Sequence, residues 1–174
     1  MKILETERLL LRTVELGDAQ FYLELVNDPS WLRYIGDKGI RTLADAQASI
    51  EQGPLAMQQR LGHSLYLVEL KDGAVPIGLC GLIKRDTLPD VDIGYAYRPA
   101  FWGRGYAYEA AAAVLALARD QLHLPRLLGI TDPDNYDSIH LLQKLGLRLV
   151  SMQPLEPGGR ATHLFRIDFG AEPD

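Results

Sequence analysis

Three β-type runs crowd the middle of the chain, Ser64 to Leu70, Val75 to Lys84 and Val91 to Arg98, and a helical pattern takes over at Gly105. Lys71-Asp72-Gly73 joins the first two with a hairpin signal, so the runs read as an antiparallel meander. From Gly105 to Leu122 the apolar residues Ala111, Val114, Leu115, Ala118 and Leu122 form one helical stripe. Any fold must therefore deliver a sheet into a helix through a short, glycine-bearing link. The flanks fit the same plan. Arg8 to Val14 reads as a strand, and Asp18 caps a helix carrying Phe21, Leu25 and Val26 that Asn27-Asp28-Pro29 ends. Thr42 to about Leu61 reads as a second helix, with Gly53-Pro54 as a break or kink. Further on, Arg126 to Thr131 is expected as a buried strand, Asn135 to Leu145 as a short helix ended by Gly146, and Leu147 to Met152 and Thr162 to Phe169 as closing strands. This order is a mixed α/β (α+β) sheet.

With 174 residues, the chain suits a single domain spanning 1–174, and 47% hydrophobic with 24% charged residues excludes wholesale disorder and a membrane bundle. The longest uncharged stretch, Gly73 to Ile83, holds a proline and three glycines and is far short of a membrane span. The charged start Met1-Lys2-Ile3-Leu4-Glu5 argues against a cleavable signal, which makes a cytoplasmic location the expectation. Cys80, the only cysteine, lies in an apolar run and reads as a core residue. A net charge of −5 argues against a dedicated nucleic-acid binder. The four histidines show no metal-ligand spacing, so no metal is assigned.

The chemistry concentrates in the segment from Asp92 to Glu109. Gly103 and Gly105 permit a tight turn and a close approach to a ligand, and the free N–H groups of the helix that follows can cradle a pyrophosphate. The same glycines also suit a plain turn. No Lys-Ser/Thr follows them, and Tyr108 stands where a dinucleotide fingerprint has its third glycine, so kinase and Rossmann readings fall.

Trp102-Gly103-Arg104-Gly105-Tyr106-Ala107 resembles the Gln/Arg-x-x-Gly-x-Gly/Ala pyrophosphate loop of the GNAT superfamily of acetyl-CoA-dependent N-acetyltransferases, with Trp102 departing from the usual first residue. In the form Phe-Trp-Gly-Arg-Gly-Tyr-Ala-x-Glu-Ala it looks like the RimJ/RimL-like branch, which includes ribosomal-protein N-terminal acetyltransferases and small-molecule acetyltransferases. Glu5-Thr6-Glu7-Arg8-Leu9-Leu10-Leu11-Arg12 resembles the opening strand of that branch. Asn135-x-x-Ser138 with Gln143-Lys144-Leu145-Gly146-Leu147 resembles its second CoA-side motif, with Gln143 and Leu147 as departures.

The resemblance implies a mostly antiparallel sheet splayed in the middle and flanked by about four helices. It implies acetyl-CoA as co-substrate and direct transfer to a primary amine, either a protein N-terminus or a small molecule. Its implied site is the loop of Trp102, Gly103, Arg104, Gly105, Tyr106, Ala107 and Tyr108 for pyrophosphate, and the strand of Ile93, Tyr95 and Tyr97 for pantetheine. Asn135 is expected beside the CoA arm and Ser138 as the acid for the leaving thiolate; read alone, both suit a turn and helix cap. Leu142 stands where many relatives carry a tyrosine acid. Asp92 and Glu156 are candidate bases, against readings as an outward strand residue and a solvated loop residue. Trp31 and Tyr34 are expected to shape the acceptor pocket, or to plug the core. Rival readings are a silent acyl-CoA-binding module and an interaction domain; a second copy of the chain is a candidate partner.

Overall fold

The computed structural model describes residues 1–170. Its strands are β1 (Lys2–Glu5), β2 (Leu9–Thr13), β3 (Leu65–Leu70), β4 (Val75–Ile83), β5 (Asp92–Tyr97), β6 (Arg126–Thr131), β7 (Arg148–Ser151) and β8 (His163–Asp168). They form one sheet in the order β1-β2-β3-β4-β5-β6-β8-β7. The expected meander is β3-β4-β5, antiparallel throughout, and the one parallel pairing is β5 with β6. That pairing holds only two residue pairs, Asp92 with Leu128 and Ile93 with Gly129. Beyond them the strands diverge, so Gly94 to Tyr97 keep β4 on one side and have no strand on the other. This is the splay that the resemblance implies.

β1 is absent from the expectations drawn from sequence. It is a charged edge strand in which Lys2 pairs with Glu5, and edge strands favour charge because it discourages a further strand from adding. Asn27-Asp28-Pro29 ends helix α1 (Ala19–Val26) as expected but also starts another, α2 (Pro29–Tyr34). Asp28 caps it by accepting from the Ser30 N–H at 2.9 Å, and Pro29 sits at the first helical position, where a missing N–H costs nothing. The second expected helix is α3 (Leu43–Ile50) and α4 (Ala56–Leu61), joined by a wide π-type turn over Glu51–Leu55. Gly53 and Pro54 lie in that turn, so the expected break is absorbed without ending the helix. The last two helices are α5 (Tyr106–Ala116) and α6 (Tyr136–Lys144). Among the described residues, no helix is long and apolar enough to cross a membrane.

Strand alternation divides the core into two clusters. Tyr66, Cys80, Ile93 and Tyr97 pack with Ala110, Ala111 and Val114 of α5 and Leu142 of α6. Leu67 and Leu79 pack on the opposite face with Phe21, Leu25, Trp31 and Ile50. Small side chains bring α5 close to the sheet that feeds it. Cys80 is fully buried, and burial pushes its thiol up to about 12, so it is an inert core residue. Leu142 is also fully buried, and a Cβ on Gly129 would fall 2.6 Å from its Cδ2. The bare glycine thus lets α6 seat against β6 through that leucine. Leu142→Ala is expected to cost about 2–5 kcal/mol in chemical denaturation, the range for emptying a large buried site.

Candidate active site

Between β5 and α5 the chain turns through Pro99–Phe101 and Trp102, then places Gly103 and Gly105 at φ of 72° and 81°. Those angles are costly for residues with a Cβ, so the backbone conformation requires glycine at both positions. Gly105 caps α5 and offers no side chain to it. The first bond at the helix start runs from the Glu109 N–H to the Gly105 carbonyl. The N–H groups of Tyr106, Ala107 and Tyr108 therefore have no acceptor among the described residues, and the turn that precedes them is open at Gly103, where a Cβ would meet nothing within 4 Å. This arrangement suits an anion.

Three cations border it. Lys144 at the end of α6 lies 4.1 Å from the Tyr108 ring centroid, Arg104 lies 5.9 Å from that of Phe101, and Arg8 lies 4.4 Å from that of Tyr106. Arg8 is the best anchored. Its backbone N–H and Nε donate to Glu109 at 2.9 and 2.7 Å, and its Nη1 donates to the Arg104 carbonyl at 3.0 Å. The Thr6 hydroxyl donates to the same glutamate at 2.6 Å. Glu109 would otherwise repel an anion at the helix start; paired with Arg8, it pins the loop instead. The sequence reading missed Arg8 and Lys144, although both lie inside motifs it quoted.

The free edge of β5 leads away from this loop. The Arg98 N–H donates to Ile77 of β4, while the Val91 carbonyl accepts from Leu128 of β6, each at 2.9 Å. Strand alternation then directs the backbone groups of Ile93, Tyr95 and Tyr97 towards the β6 side. Trp102, half exposed, donates its indole N–H to the Tyr97 carbonyl at 2.9 Å and ties the loop to the strand end. Across the gap, Asn135 caps α6 by accepting from the Ser138 N–H at 3.2 Å, and the hydroxyls of Ser138 and Tyr95 lie 2.8 Å apart. The structure thus places Ser138 at the splay and keeps the capping role of Asn135.

The candidate bases are differently placed. Asp92 is fully buried rather than outward-facing and accepts from Arg85 Nε at 2.9 Å. Burial pushes its carboxyl up, and the pull of Arg85 and Lys84 only partly offsets this, so the net shift is upward. Glu156 is exposed in the β7–β8 connection, where its carbonyl accepts from the Gly159 N–H at 2.9 Å. Arg160 of the same connection bridges the Arg33 carbonyl on α2 and the Asp132 carboxylate. Trp31 is buried in the α1–α3 core, and Tyr34 is half-buried with Arg33 over its ring. Of the acids around the splay, Asp90, Asp92 and Asp132 all face arginines, which limits their attraction for a cation.

Burial raises the Glu109 pKa, but the Thr6 and Arg8 hydrogen bonds outweigh it, and the net shift is downward. A carboxylate with a depressed folded pKa stabilises fully above its unfolded value, and that contribution is lost as pH falls through the folded one. The unaltered chain should therefore lose more stability than Glu109→Gln between pH 6 and acid conditions. Urea titrations across that range check this.

The sequence profile described as "Acetyltransferase (GNAT) domain" matches residues 8–148. The chain is 29% identical over 143 residues to the uncharacterized N-acetyltransferase YnaD of Bacillus subtilis, covering 82% of this chain and 81% of that protein. An acetyltransferase from Agrobacterium tumefaciens superposes with a TM-score of 0.81 at 26% identity, covering 96% of this chain and 94% of that one. RimL, a ribosomal L7/L12 α-N-protein acetyltransferase solved with coenzyme A, has the same fold at a TM-score of 0.81 and 15% identity, covering 97% of this chain and 98% of that one. The glycine turn, the bare helix start and the splayed strand thus coincide with a profile that spans most of the chain, and the protein belongs to the GNAT acetyltransferase family as an N-acetyltransferase.

Proposed function

We propose that this chain binds acetyl-CoA with its pyrophosphate on the N–H groups at the start of α5, and transfers the acetyl group directly to a primary amine in a ternary complex. The observation that carries the reading is the free edge of β5, which meets the loop before α5 where Trp102 binds the Tyr97 carbonyl, and which carries Tyr95, whose hydroxyl lies beside Ser138. Backbone from Ile93 to Tyr97 pairs with the pantetheine, residues 102–108 hold the pyrophosphate, and Asn135 fixes the start of α6 beside the arm. Ser138 gives its proton to the departing thiolate. Half-buried Tyr34 forms the acceptor wall with Trp31 buried behind it in the core, and Arg160 straps that wall to the Asp132 turn.

The acceptor we favour is a protein N-terminal α-amine, with a small amine second. An alkylamine near pKa 10.4 costs about 4.6 kcal/mol to neutralise at pH 7, whereas an α-amine near 8 costs about 1.4 kcal/mol. Arg85 occupies both carboxylate oxygens of buried Asp92, and Glu156 stands exposed in the β7–β8 connection, so neither carboxylate is free beside the splay to take a proton from the amine. That supports the acceptor that needs less help. The fold shared with RimL, which is named for acetylating a ribosomal protein, points the same way.

Thermal unfolding with acetyl-CoA tests the cofactor site. At 100 times Kd a native-state ligand adds about 2.7 kcal/mol, which at this size raises Tm by about 5–10 °C. Gly105→Ala, strained at positive φ, is expected to remove the shift. No shift in the unaltered chain would overturn the proposal. Thiol release should then be faster with a peptide bearing a free N-terminus than with an alkylamine at pH 7; the reverse order would assign the small amine. A thermal shift without thiol release from any amine would identify a silent binding module.

A further inference from the structure

A hydroxyl that hands its proton to a thiolate must keep that proton pointed away from its own neighbours. Ser138 Oγ has one proton, and its nearest polar neighbour is the Tyr95 hydroxyl at 2.8 Å, which also lies 3.3 Å from the Ser138 carbonyl. Two patterns satisfy the pair. If Ser138 donates to Tyr95, the phenol donates to the Ser138 carbonyl at 3.3 Å and the serine proton is tied up; if Tyr95 donates along the shorter contact to Oγ, the serine proton is free to turn elsewhere. Tyr95 reaches this position by strand register. Its side chain shares a face with Ile93 and Tyr97, and its ring packs beside the core beneath α5 and α6. Burial pushes the phenol well above its ordinary value against the pull of Ser138, so it stays protonated and able to donate. Asn135 holds the Ser138 N–H, which leaves the hydroxyl as the adjustable group of that residue.

We infer that Tyr95 is a positioning residue whose phenol donates to Ser138 Oγ, aims the serine proton into the gap between β5 and β6, and steadies Oγ as that proton leaves. The inference rests on the role given to Ser138 above. As the amine nitrogen bonds to the acetyl carbon and the C–S bond breaks, sulfur keeps the electron pair and takes the Ser138 proton. The proton shed by the acylated nitrogen returns to Oγ through water. The phenol proton stays on Tyr95 throughout.

The test compares Tyr95→Phe, Ser138→Ala and the double variant by thiol release. The acceptors are a peptide with a free N-terminal α-amine and hydroxylamine, which is small enough to need no acceptor pocket. Tyr95→Phe is expected to lower kcat about 10-fold, as for losing one hydrogen bond to a group that acquires charge, with the KM for acetyl-CoA unchanged. It should retain the acetyl-CoA thermal shift, and the double variant should be no slower than Ser138→Ala. Unchanged kcat in Tyr95→Phe, a change in KM alone, or independent effects in the double variant would each overturn the inference while leaving the role of Ser138 in place. Full activity in Ser138→Ala, or no turnover by the unaltered chain with either acceptor, would remove that role and this inference together. If Tyr95→Phe fails to fold, 3-fluorotyrosine at position 95 keeps the contact, and the inference then requires a changed kcat at constant KM.

Discussion

The parting of β5 from β6 after two residue pairs is the constraint on which the other features depend. Each strand is held fully on its other side, β5 by β4 from Asp92 to Tyr97 and β6 by β8 from Arg126 to Thr131. The gap therefore persists without loosening either half of the sheet. Unpaired backbone groups are costly when kept dry, so the edge of β5 must meet water or a ligand. A long, polar, hydrogen-bonding arm answers that requirement, and the glycine turn at its far end answers the charge such an arm carries.

Charge is distributed to the same purpose. The chain is acidic overall, yet Arg8, Arg104 and Lys144 border the start of α5, and the carboxylate in that first turn is occupied by Arg8 and Thr6. Across the gap, buried Asp92 and the Asp132 turn each meet an arginine. The helix start thus favours an anion, while these two carboxylates are already engaged by arginines.

The meander, the glycine turn and the two helices after it were legible because each rests on local signals: hairpin residues, helical spacing and φ-permissive glycines. β1 escaped notice because a short, charged strand lacks an apolar alternation and depends on β2 for its pairing. α2 escaped because Asp-Pro was read as a stop, whereas the same pair caps and starts a helix. At the site, motifs singled out Ser138 and the loop. They could not show that Tyr95 reaches Ser138, since that contact joins residues 43 positions apart and depends on how α6 seats over the sheet. Nor could they show that Asp92 is enclosed and bound to Arg85.

Cys80 gives the fold a practical property. The chain's only thiol is sealed between the sheet and α5, and stays protonated at any pH suited to the enzyme. A thiol-reactive dye added to a reaction mixture will therefore colour with liberated coenzyme A and leave the folded protein blank. Slow colour that arises without acetyl-CoA reports that the sheet has opened, so one reagent follows both turnover and the integrity of the catalyst.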